Sequence, residues 1–125
     1  MSAFKDGRYP VKLDGKTYHM LVDLNVLDEL DDKAGGFDNL SAYLDMKAKD
    51  IFKRLRWLLT LLINEGMDDG EPELSEKQIG KMIHTGNLGE IRSSMFKAFG
   101  VGLSGKTDAG AVVADESEGE NEKNA

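Results

Sequence analysis

The chain has 125 residues, 40% of them apolar and 31% charged, with a net charge of −7 and no cysteine, a composition that belongs to one globular domain and not to a wholly disordered chain. The missing thiols exclude disulfides, thiolate nucleophiles and cysteine-ligated metal sites, and they point to a reducing, cytoplasmic compartment. Residues 1–22 carry four basic and two acidic groups, residues 23–103 ten and 15, and residues 104–125 two and six, so body and tail repel phosphate backbones, disfavour nucleic acid and favour a basic protein partner.

Met1 to Gly7 read as a flexible N-terminus. They hold no apolar run of the kind that opens an export signal, and the longest apolar stretch, Trp57 to Ile63, is interrupted by Thr60 and too short for a bilayer, so neither export nor membrane insertion is expected. Residues 8–22 then read as a β-hairpin. Asp14-Gly15 between two alternating runs favours a type I′ turn, in which both central residues take positive φ. With that register Leu13 faces Lys16, Val11 faces Tyr18 and Tyr9 faces Met20, so Tyr9, Val11, Leu13, Tyr18, Met20 and Val22 share one apolar side. Lys12, Thr17 and His19 take the other, and Pro10 marks an edge strand.

The helical body is expected over residues 23–103. Asp23 caps a first helix with Leu24, Leu27 and Leu30 on one face and Asp28, Glu29, Asp31 and Asp32 opposite, and Gly35-Gly36 ends it. A second segment follows Phe37, capped by Asp38 or Asn39, with Leu40, Tyr43 and Leu44 inward. Asp50 should cap the strongest helix, Ile51 to Glu65, where Ile51, Leu55, Leu58, Leu59 and Leu62 keep the 3.6-residue period until Gly66 closes it. After a polar loop from Met67 to Glu73, Ser75-Glu76-Lys77-Gln78 forms a capping box for a short helix burying Ile79, Met82 and Ile83. Asn87, with Glu90, caps the last helix, whose stripe is Leu88, Ile91, Met95 and Phe99 and which Gly100 and Gly102 should stop. Residues 104–125 read as a disordered acidic tail. The expected fold class is therefore α+β, an N-terminal hairpin packed on four to five helices.

No constellation able to run an active site is found, and no cofactor, metal or catalytic residue is assigned. His19 and His84 have neither a nucleophile nor metal-ligand carboxylates in register, and His84, read as the last turn of its helix, would complement the helix dipole. Asp68-Asp69-Gly70-Glu71-Pro72-Glu73 has contiguous acids and a proline where a calcium loop needs alternate oxygen ligands. Gly100 to Thr107 spells a phosphate-loop string, but a helix precedes it where a buried strand is required, so a small nucleotide-binding enzyme is set aside. Asp38-Asn39-Leu40-Ser41 has the wrong order for an acyl carrier protein. Lys47, Lys49, Lys53, Arg54 and Arg56 with Trp57 make one basic, aromatic cluster, which pairs with the acids of the first helix or the tail, or else contacts an acidic protein surface or a nucleic-acid backbone, the last disfavoured by the acidic remainder of the chain. On the central helix Trp57 and Leu61 lie nearly opposite the main stripe. Either a neighbouring helix covers them, or they anchor a partner helix or a second copy of the chain.

The phrase Tyr9-Pro10-Val11-Lys12-Leu13-Asp14-Gly15-Lys16-Thr17-Tyr18, followed by Leu24 to Leu30, a helical body and an acidic end, resembles the tail assembly chaperones of long-tailed phages and prophages over residues 8–103. That resemblance implies a non-enzymatic protein of the bacterial host cytoplasm that binds the tape measure protein and helps recruit major tail protein subunits, some members having a longer frameshifted form. Candidate partner-binding residues are Trp57, Leu61 and Arg54. The alternative class is a structural head–tail connector or other small virion or adaptor protein.

Overall fold

The computed structural model describes residues 7–104. The architecture is α+β, a two-stranded antiparallel hairpin packed on five helices. Strands β1 (Tyr9–Leu13) and β2 (Lys16–Met20) pair in the expected register, Leu13 with Lys16, Val11 with Tyr18 and Tyr9 with Met20. Asp14 and Gly15 both have positive φ, 51° and 84°, as a type I′ turn demands. Val11, Leu13, Met20 and Val22 are buried and Tyr9 and Tyr18 half-buried, so the apolar side of the hairpin is its inner side. The segments expected as flexible N-terminus and acidic tail lie outside the described residues, apart from Gly7 and Ser104 at their borders.

Helix α1 (Leu24–Ala34) starts where Asp23 Oδ1 accepts the Val26 amide at 3.1 Å and stops at Gly35, whose φ of 82° is left-handed. Its buried residues are Val26, Leu30 and Ala34, spaced by four. Leu24 was expected beside Leu30 but is 81% exposed, because at about 100° per residue it stands roughly 160° round the helix from Val26. A 3₁₀ turn (Phe37–Asn39) leads into the single-turn α2 (Leu40–Tyr43). Neither Asp38 nor Asn39 caps α2; the Asn39 side chain instead donates from Nδ2 to the Ala34 carbonyl at 2.7 Å, closing the open end of α1.

Helix α3 (Ile51–Glu65) is central, and Ile51, Leu55, Leu58, Leu59, Leu62 and Ile63 are buried along it. Each contributes on the order of 1.5–3 kcal/mol by leaving water. Thr60, buried among them, donates its hydroxyl to the Arg56 carbonyl at 2.7 Å and so keeps no unmet polar group. Asp50 does not cap α3 as expected: its carboxylate turns to Arg54 Nε, 2.8 Å away. At the other end the Leu21 amide donates to the Leu62 carbonyl at 3.1 Å. A Cβ on Gly66 would stand 2.2 Å from the His19 carbonyl oxygen, so only glycine lets helix and strand meet this closely.

Helix α4 (Glu76–Gly80) carries the expected capping box, Ser75 Oγ accepting the Gln78 amide at 3.1 Å and Gln78 Oε1 the Ser75 amide at 2.8 Å. It buries Ile79 and then ends, leaving Met82 and Ile83 half-buried in a turn. His84 therefore lies beyond the helix instead of in its last turn, with Nε2 3.4 Å from Asp14 Oδ1 of the hairpin turn. Asn87, directly before α5, has its carbonyl accept the Ile91 amide at 3.0 Å, while its side chain braces the preceding turn, Oδ1 accepting the His84 amide at 2.8 Å and Nδ2 donating to the Met82 carbonyl at 3.0 Å.

Helix α5 (Leu88–Ser104) buries Ile91, Met95, Ala98, Phe99 and Val101 and stacks Phe99 on Phe37 with centroids 5.7 Å apart. Gly100 and Gly102 do not stop it. A Cβ on Gly102 would fall 2.6 Å from Val22 Cβ, so this glycine serves close packing on the hairpin's end instead of a cap. The glycine half of the phosphate-loop string is thus helical, and its Lys106-Thr107 lies outside the described residues.

Candidate partner-binding surface

The candidate residues sit on the outer flank of α3, where α4 crosses it. The Arg56 stem runs beside Gly80, whose added Cβ would lie 3.1 Å from Arg56 Cδ, and its Nε is 3.6 Å from a Glu76 carboxylate oxygen. Arg56 thereby stands between two clefts. One, about 320 Å³, is lined by Lys33, Tyr43, Asp50, Lys53, Arg54, Trp57 and Glu76 as well as Arg56. The other, about 240 Å³, is bounded by Phe52, Leu55, Ile83 and Leu88, with His84 and Thr85 at its edge.

Trp57 is half-buried in the first cleft. Its ring meets Tyr43 edge-on at 6.2 Å and carries the Lys33 ammonium 5.4 Å from its centroid. Leu61 is also half-buried and packs against the core, so α3 has neither a sealed nor a bare second face. Arg54 is engaged within the fold: it pairs with Asp50, donates to the Tyr43 carbonyl at 3.1 Å and stacks its guanidinium 4.9 Å from the Tyr43 centroid. Burial raises the Tyr43 phenol above its ordinary value although Arg54 pulls the other way, and the ring stays neutral at neutral pH. The basic cluster thus pairs with Asp50 and Glu76; no described contact joins it to the acids of α1.

Phe52 escaped sequence reasoning. Spacing puts it on the same face as Leu59 and Ile63, both buried, yet it is 67% exposed. The first turn of α3 projects past whatever covers those two, and no periodicity encodes where a neighbour ends. Met46, 44% exposed, lies in the connection leading into α3. An exposed aromatic at the edge of an apolar cleft is a surface suited to receive the apolar side chains of another chain.

Among the described residues no group of three His, Asp or Glu side chains is placed to hold a metal ion, and no helix is long and apolar enough to cross a membrane. The loop from Met67 to Glu73 instead ties inward, Asp68 accepting Arg8 at 2.7 Å and Glu71 Oε1 accepting the Asp68 amide at 2.8 Å. No protein-family model, curated protein or solved structure matches this chain.

Proposed function

We propose that the protein is a non-enzymatic assembly chaperone of the phage-tail type, acting in the bacterial host cytoplasm by covering apolar helix surface on a tape measure protein while tail tube subunits are recruited. The observation that carries this reading is the pair of clefts on either side of Arg56, with Phe52 standing 67% exposed at the apolar one and Trp57 half-buried in the basic one. Apolar anchors at the mouths of shallow clefts suit a client whose helices show greasy faces before assembly, and the flanking cations and acids keep the unoccupied surface wetted. The hairpin phrase adds the resemblance that selects this client among helical partners.

Coexpression with the long helical tape measure chain of the same genome tests the proposal. The client should become soluble and copurify, and Phe52→Ser should reduce its recovery about tenfold, the usual weight of one central aromatic anchor. Phe52 is exposed, so the variant should fold as the parent does. An insoluble client with no complex, or full recovery with both Phe52→Ser and Trp57→Ala, overturns the reading.

A further inference from the structure

We propose that the acidic segment Asp115 to Glu122 docks within the same molecule into the basic cleft over Trp57. Two pairs in that cleft are already balanced, Asp50 by Arg54 at 2.8 Å and Glu76 by Arg56 at 3.6 Å. Lys33 and Lys53, both exposed, have no carboxylate partner among the described residues, although they line the same cleft. The cleft therefore presents surplus positive charge on a chain whose net charge is −7. Such a site selects an acidic occupant of the kind the tail supplies.

The pattern of the segment fits. Glu116, Glu118, Glu120 and Glu122 alternate with Ser117, Gly119 and Asn121, and in an extended chain alternate residues point the same way at intervals of about 7 Å. A row of carboxylates with small or polar residues between them can follow an open groove and meet Lys33 and Lys53 without steric conflict. Reach also fits, because the ten residues from Gly105 to Ala114 separate the end of α5 from Asp115. A linker of that length spans up to ~35 Å, against a radius of gyration of ~13 Å for a domain of this size. Tethering gives an effective concentration in the millimolar range, which favours the molecule's own segment over that of a second copy. The inference stands independently of the client's identity.

The composition supplies its own probes, a single tryptophan and no cysteine. A nitroxide on the full chain carrying Ser117→Cys should reduce the Trp57 indole N–H cross-peak to less than half its diamagnetic intensity at 50 mM salt. The peak should recover above about 0.5 M salt, where the screening length falls to a few ångströms. Lys33→Gln with Lys53→Gln should abolish the low-salt loss; both positions are exposed, and an otherwise unchanged amide spectrum shows the fold intact. An unaffected indole peak at low salt, or a loss that survives the double lysine variant or high salt, overturns the proposal. So does an equal loss in a mixture of labelled unenriched chain with isotope-enriched unlabelled chain, which would place the contact between copies.

Discussion

The two ends of α3 both bury their main stripe, Ile51 and Leu55 at one and Leu62 at the other, but they differ on the face that Phe52 shares with Ile63. At the C-terminal end Leu62 and Ile63 are sealed beneath β2, the Leu21 amide reaches the Leu62 carbonyl, and Gly66 abuts the His19 carbonyl. At the N-terminal end Phe52 and Lys53 face outward and Arg54 is held by Asp50 and Tyr43. One end is a joint in the fold and the other is the surface proposed above for binding. What separates them is the extent of their neighbours, since side-chain chemistry repeats along the helix while the hairpin covers only one end.

Substitutions at the two ends should therefore differ sharply. Gly66→Ala forces a Cβ against backbone that cannot yield cheaply, and urea unfolding should show a loss of about 3 kcal/mol, whereas Phe52→Ser should stay within about 0.5 kcal/mol. Equal losses would erase the contrast. Asn64 refines it: its side chain clamps Leu74 at both polar atoms, Nδ2 donating to the carbonyl and Oδ1 accepting the amide, each at 2.8 Å. Asn64→Ala should cost about 1.5 kcal/mol and speed hydrogen exchange in α4 while leaving the hairpin protected. Uniform acceleration would mean that α4 and the hairpin open as one unit.

The smallest effect concerns charge at the sealed end. Glu65 accepts a hydrogen bond from Asn25, which lowers its pKa, but the neighbouring Asp23 and partial burial outweigh this, and the carboxyl sits above its ordinary value of 4.5. A raised value means that its contribution to stability is complete below the unfolded pKa and is lost as pH rises through the folded one. At neutral pH the ionised Glu65 thus opposes Asp23. Glu65→Gln should add a few tenths of a kcal/mol at pH 7, a gain kept small by solvent screening, and add nothing at pH 3.5. A gain of the same size at both values would show that the charge is not the cause.

Much of the fold is legible because its signals are local. Asp14-Gly15 sets the hairpin register, Asp23 and Ser75 cap their helices through bonds spanning three residues, and the stripe of α3 is a matter of period. The misreadings have two origins, a competing partner close by in the chain and a contact distant in sequence. Asp50 gives up its cap for Arg54, four residues further on. Gly102 lies inside a helix it was expected to end, where the missing side chain lets α5 pack on Val22, 80 residues away in the chain. The surface was legible in part: Trp57 and Leu61 stand out as apolar residues off the stripe, but the exposure of Phe52 depends on a boundary that only the assembled fold defines.

The hydrogen bond from Leu21 to Leu62 also sets an order of events during synthesis. A lone two-stranded hairpin is at best marginally stable in water, and this one leaves the ribosome well before the helix end it must lie on and the α5 turn that covers Val22. At about 5–20 residues per second the greasy inner side of the hairpin waits several seconds for both. A protein proposed to shelter another chain's apolar surface must first outlast the exposure of its own.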